Sequence, residues 1–181
     1  WRRLGRLVVA DDVIQKKLAA NPDISTQELL AQSLPPQALD KLQRVIHASE
    51  QQHTGQIVLC IEARLSQDDT LKHASPRQRA LALFAELRVW DTEDNNGVML
   101  YLLLEQHAIE LIADRALNRC VAQTVWDTIT QRLAISLRAQ QYENGLQSAL
   151  EQISGLLAAY FPSSTTRPRD NTVSDAPVLL P

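Results

Sequence analysis

Asp91-Thr92-Glu93-Asp94-Asn95-Asn96-Gly97, then the apolar run Val98–Leu104, then Glu105-Gln106-His107 and Ala108–Asp114: this stretch decides the architecture. The apolar run falls far short of the roughly 20 residues a membrane helix needs. It does not alternate, so it predicts a strand buried on both faces. The three-residue link at Glu105-Gln106-His107 is too short for a parallel crossover, so the next strand returns antiparallel. There Ile109, Leu111 and Ala113 alternate with Glu110, Ile112 and Asp114, the pattern of a half-covered strand nearer an edge. Oxygen-bearing side chains thus gather at the mouth of an oily sheet. Such a mouth suits a cation or phosphate site, and equally a solvated loop.

Working outward, Gln56–Ala63 carries five consecutive apolar residues and reads as another doubly buried strand. Between the two strands, Ser75-Pro76 is an N-cap and first-turn pair opening a helix to about Val89. A strand–helix–strand unit of this kind is parallel. Upstream, Pro35-Pro36 opens a helix to about His53, with Leu39, Leu42 and Ile46 on one stripe and Gly55 as its stop. Val8–Ala20 and Gln27–Gln32 read as short helices, the latter behind the capping box Ser25-Thr26-Gln27-Glu28. Downstream come two amphipathic helices. One runs from about Ala122 to Gln141, with Val121, Val125, Ile129, Leu133 and Leu137 at steps of four; the other carries Leu146, Leu150, Ile153, Leu157 and Tyr160. The expected fold is α/β: a three-layer sandwich with a small mixed sheet and helices on both faces. Its parts are a basic, helical extension over 1–34, the α/β domain over 35–162 and a disordered tail over 163–181, where composition turns to Pro, Ser, Thr, Asp and Arg.

A chain of 181 residues with 45% apolar and 22% charged content is an ordinary globular protein, and its net charge of −3 argues against nucleic acid as partner. Only the first residues are basic; Arg2, Arg3 and Arg6 would give weak peripheral contact with an anionic membrane. With no secretory signal visible, the expected location is the cytoplasm or the inner face of the membrane. A chain starting at Trp1 leaves room for export. Cys60 and Cys120 read as lone thiols.

If 57–63 and 98–104 are parallel, their first residues share one rim, and the antiparallel third strand ends there. Thr54-Gly55-Gln56, Asp94-Asn95-Asn96-Gly97 and Asp114-Arg115 should then converge, with Glu62 at the opposite rim. Asp114 reads equally as a ligand and as the N-cap of a following turn. Arg115 reads as an anion clamp or as partner to a nearby acid. Asn96-Gly97 is first of all turn chemistry that tolerates positive φ. Other sites are excluded. The loop fails as an EF-hand, with Asn96 at the glycine position and Leu102 at the twelfth. His47, His53, His73 and His107 have no zinc-ligand spacing, and His107 at a hairpin tip is expected in solvent. The chain has neither a Gly-x-Ser-x-Gly elbow nor a P-loop. Trp90 and Trp126 read as core or rim packing.

With these residues in view, the chain resembles the TPM domain family, named from thylakoid lumen, photosystem II repair and acetylcholine-receptor-modulator proteins. The resemblance spans roughly 36–162. It is carried by Ser49-Glu50 through His53-Thr54-Gly55-Gln56-Ile57, by Arg79-Ala80-Leu81 through Val89-Trp90-Asp91-Thr92, and by Asn95-Asn96-Gly97-Val98. Ile112-Ala113-Asp114-Arg115, Trp126, the Tyr142–Gly145 turn and Tyr160-Phe161-Pro162 complete it. The chain resembles bacterial stand-alone members with a short basic start and a Pro-containing tail, often described as uncharacterised or predicted membrane proteins. The family fold implied is a mixed sheet between helices. Activities in the family range from acid phosphatase and calcium binding to assembly and repair, so the fold alone leaves activity open.

The chain also departs from the family. Thr54-Gly55-Gln56 stands where Ser-Gly-Glu is common, and Ala113-Asp114-Arg115-Ala116 where Gly-Asp-Arg-Gly is common. The resemblance implies Ca2+ or another divalent cation held by Asp94, Asn95, Asn96 and Asp114, more weakly than in a full member, with Gln56 and Arg115 toward a phosphate or other ligand. Two functions follow. The first is a non-catalytic regulatory or assembly module that binds a protein partner near the membrane. The alternative is a divalent-cation-dependent, acid-phosphatase-like hydrolase, with Asp94 and Asp114 on the metal and Arg115 on phosphoryl charge.

Overall fold

The computed structural model describes residues 7–8, 26–65, 75–163 and 174–180. Strands are β1 (Leu7–Val8), β2 (Ile57–Glu62), β3 (Val98–Leu103), β4 (Ala108–Ala113) and β5 (Val178–Leu180). Helices are α1 (Thr26–Ser33), α2 (Pro36–Ser49), α3 (Pro76–Glu86), α4 (Arg115–Cys120), α5 (Gln123–Arg138) and α6 (Tyr142–Tyr160). The sheet order is β1-β4-β3-β2-β5, with β2 and β3 parallel, in register from Ile57 beside Val98, and β3 and β4 antiparallel. This is the mixed α/β sandwich that the apolar runs and the short hairpin link predict.

Two apolar clusters fill the layers. On one face Ile57, Leu59, Ile61, Leu100, Leu102, Ile109 and Leu111 pack with α2, α5 and α6. On the other, Val58, Cys60, Met99, Tyr101 and Ile112 pack with Ala80, Leu83 and Phe84 of α3. Every residue of β2 and β3 is buried, as an unalternating run requires. Helix ends follow their signals: Ser75 is extended and its side chain accepts from the Gln78 amide, with Pro76 behind it in the first turn.

Four expectations need correction. β4 is not half-covered: all six residues are buried, because β1 pairs beyond it and α3 covers the Glu110 face. The polar member of its alternation, Glu110, is fully buried and ion-paired with Arg77 at 3.3 Å. The first domain boundary lies too late, since Leu29 and Leu34 belong to the main cluster. The tail is not disordered at its end; Val178–Leu180 pairs with β2, a short apolar triplet that average composition conceals. His107 is 8% exposed rather than solvated, and its φ of 50° lets the hairpin close inward. Residues 9–25 and 164–173, and with them most of the expected Val8–Ala20 helix, lie outside the described residues.

Candidate functional site

The rim at the start of β2 and β3 is assembled by backbone constraints at three points. Thr54 is fixed by its amide donating to the Phe161 carbonyl at 2.9 Å. A Cβ on Gly55 would stand 2.9 Å from the Asn96 carbonyl oxygen and 2.5 Å from Leu157, so the close approach of these segments requires glycine. Gly97 is tighter still: an added Cβ would meet the Val89 carbonyl oxygen at 1.9 Å. The positive φ expected at Asn96-Gly97 falls instead on Asn95, at 52°. Gly97 is needed for proximity, not for handedness.

Hydroxyl groups then tie the loop together. The Thr54 hydroxyl donates to Asp94 Oδ2 at 2.9 Å and accepts from Asn96 Nδ2 at 3.0 Å. Thr92 Oγ1 accepts from the Asn96 amide at 2.9 Å. The third segment docks through backbone: the Asp114 amide donates to the Gly97 carbonyl at 2.9 Å, and the Ala116 amide to the Asn95 carbonyl at 3.1 Å. Asp114 is also a cap, since its Oδ1 accepts from the Arg115 amide at 2.6 Å at the start of α4.

These bonds bring Thr54, Asp94, Asn95, Asn96 and Asp114 to one rim. Gln56 is buried there, and its carbonyl accepts from the Val98 amide at 2.8 Å. Arg115 stands at the edge with its side chain 77% exposed, 4.0 Å from Asp114 Oδ1. A pair that open to water contributes little. Two oxygens remain. Asn96 Oδ1 and Asp114 Oδ2 are buried without a hydrogen-bond donor, on residues 0% and 7% exposed. Leaving such a group unsatisfied costs ~1–3 kcal/mol, more when charged. Both are hard oxygen donors, the type calcium and magnesium take. Among the described residues no three His, Cys, Asp or Glu side chains cluster, so this donor set mixes amide and carboxylate.

Trp90 departs from its expected packing role. Trp126 is 1% exposed in the core, whereas Trp90 is 48% exposed on the turn whose Val89 carbonyl backs onto Gly97. Sequence reasoning took Trp90 for core or rim packing and missed the bridging hydroxyls of Thr54 and Thr92. It also missed the chemistry of the far end of the sheet. There Arg79 Nε bonds both Glu62 oxygens at 3.2 Å, its Nη2 reaches Oε1 at 2.8 Å, and the Tyr101 hydroxyl donates to Oε2. The available signal was Glu62 itself, a carboxylate closing an apolar run. Burial first, then the Glu62 charge, pushes the Cys60 thiol up to about 12. Burial and the bond to Glu62 likewise hold the Tyr101 phenol well above its usual range.

Comparison with known proteins bears on the family and the fold. A family profile for the TPM domain matches residues 29–156, well over half of the chain. The chain belongs to the TPM domain family. No curated protein matches it. Among solved structures, the TPM chain is similar to the BA42 protein of the psychrophilic bacterium Bizionia argentinensis, determined by NMR. The TM-score is 0.68 at 22% identity, over 81% of this chain and 94% of that one. At that identity the likeness speaks for the fold. Among the described residues of the TPM chain, no helix is long and apolar enough to cross a membrane.

Proposed function

We propose that this TPM domain is a regulatory or assembly module that docks a protein partner at the loop rim, in a manner sharpened by a weakly held divalent cation. The reading rests on the two donor-less oxygens, Asn96 Oδ1 and Asp114 Oδ2, set into a rim that also presents Trp90 and Arg115 to solvent. Asp114, Asn96 and Asp94 would hold the cation, which supplies positive charge to the rim and removes the cost of two unsatisfied oxygens. With Gln56 in place of a family carboxylate, affinity is expected to be modest. Exposed Trp and Arg are the residue types that anchor interfaces, which favours a protein partner. Arg2, Arg3 and Arg6 fall outside the described residues, so the membrane part of the reading rests on sequence alone.

The test sets this reading against the hydrolase. The protein is heated with calcium, magnesium or chelator, and incubated with a chromogenic phosphate ester, beside Asp114→Ala. The module reading expects a melting temperature raised by millimolar cation in the wild type only, with no turnover. Turnover abolished by both chelator and substitution would replace it with the phosphatase-like alternative.

A further inference from the structure

We propose that the cleft between α5 and α6 binds a free, unbranched carboxylate of medium chain length, with Arg132 on its head group. The proposal rests on none of the rim oxygens. Val125, Ile129 and Arg132 of α5 face Gln152, Gly155 and Leu156 of α6 across a cavity of about 450 Å³. Small-molecule sites have volumes of this order and are mostly apolar, with a few placed polar groups.

Two glycines on α6 record how the cleft opens. A Cβ on Gly145 would stand 2.6 Å from Ser136 Cβ and 3.3 Å from Leu133 Cδ1, so there the two helices are in close contact. Further along the helix, by roughly 15 Å of axial rise, a Cβ on Gly155 would meet nothing within 4 Å. The helices splay between these points. Glycine weakens a helix interior, and at 155 no close approach requires it. What it does is leave the cleft open. Ile129, 2% exposed, forms the floor, and Val125, 37% exposed, stands at the mouth.

One end of the cleft is charged. Arg132 Nη1 donates to Gln152 Oε1 at 3.2 Å, and Gln152 is itself held by its Nε2 donating to the Ser148 carbonyl at 3.0 Å. The neighbouring acids are engaged elsewhere: Asp127 accepts from Gln123, and Glu151 from Gln147. Among the described residues no carboxylate pairs with Arg132, so the positive charge at the cleft has no counter-ion there. A guanidinium positioned in this way suits a carboxylate, which it can grip through two parallel N–H groups. The Thr128 hydroxyl adds no second anchor, because it donates to the Thr124 carbonyl at 2.7 Å. A cation at one end and an apolar wall along the rest select a head and a tail. Val125 to Arg132 spans about 10 Å along α5, the length of a chain of about eight carbons. Exposed Gln131 and Glu151 adjoin the lining residues, and such polar neighbours suit one free molecule better than a bilayer surface.

Octanoate, below its micelle threshold, is the probe, added to the full 15N-labelled chain. Saturable shifts are expected at the Thr128, Arg132 and Gly155 amides. Octanol, which lacks the charge, should bind roughly 3- to 10-fold more weakly. Arg132→Gln should bring octanoate down to the octanol level. Gly155→Leu fills the cleft and should weaken octanoate roughly 10-fold or more. Should that variant fail to fold, the octanoate–octanol comparison on the wild type and on Arg132→Gln decides. Equal binding of octanoate and octanol, unchanged affinity in folded Gly155→Leu, or saturable shifts confined to other residues would overturn the proposal. Two further outcomes would overturn it by naming another occupant. Shifts at these amides with anionic phospholipid vesicles and not with octanoate would indicate a bilayer, and shifts on dilution of the ligand-free chain a second copy.

Discussion

The two ends of the central strand pair face opposite energetic situations. At the end of β2, Glu62 is buried and both of its carboxylate oxygens are bonded, by Arg79 and Tyr101. At the start, Asp114 is buried almost as deeply, yet one carboxylate oxygen has no donor, and neither does the amide oxygen of Asn96. Taking a carboxylate from water is costly, and a closed ion pair is one way to offset that cost. An open oxygen set is the arrangement that a ligand completes. The difference lies within one sheet: at one end bonded polar groups hold α3 to the strands, and at the other two buried oxygens have no donor, the feature on which the proposed rim site rests.

The largest expected effect breaks the closed end. Arg79→Ala leaves Glu62 buried without its partner and should cost ~3–5 kcal/mol in denaturant unfolding. A loss under ~1 kcal/mol would mean that the pair is not desolvated, removing one side of the comparison. At the open end, Gly97→Ala drives a methyl against the Val89 carbonyl and should cost ~1–3 kcal/mol. Gly155→Ala meets nothing within 4 Å on a helix and should stabilise by ~0.5–1 kcal/mol, a control for glycine replacement itself. If the two glycines respond alike, the rim is looser than described.

Alkaline titration gives a smaller, graded effect at the closed end. Between an ordinary thiol value of 9.0 and about 12, folded Cys60 keeps its proton while the unfolded thiol loses it. Rising pH then favours unfolding, by up to ~1.4 kcal/mol per pH unit from this group. Stability should fall from pH 9 upward, and Cys60→Ala should flatten the fall between 9 and 10, below the Tyr101 range. An unchanged slope would place Cys60 in contact with water.

Much of this was legible from patterning. Two unalternating runs and a three-residue link were enough for parallel β2–β3 and antiparallel β4, and therefore for the meeting of 54–56, 94–97 and 114–115. What failed has a common cause. Period-two alternation in β4 said only that Glu110 faced away from Leu111; it could not say that Arg77, far off in sequence, would cover it. Composition averaged Val178–Leu180 into its polar surroundings, although a strand of three residues needs only an edge to join. At the rim, Asp94, Asn96 and Asp114 were visible as oxygen carriers. The hydroxyls of Thr54 and Thr92 that bridge the loop were not, because their role exists only once two distant segments touch.

Calcium titration of the 15N-labelled protein, followed amide by amide, tests the contrast between the ends most directly. The account predicts saturable shifts at Thr54, Gly97 and Ala116, absent in Asp114→Asn, with Glu62 and Tyr101 unmoved. Shifts that cluster at the Glu62 end, or a rim silent at millimolar calcium and magnesium alike, would contradict it.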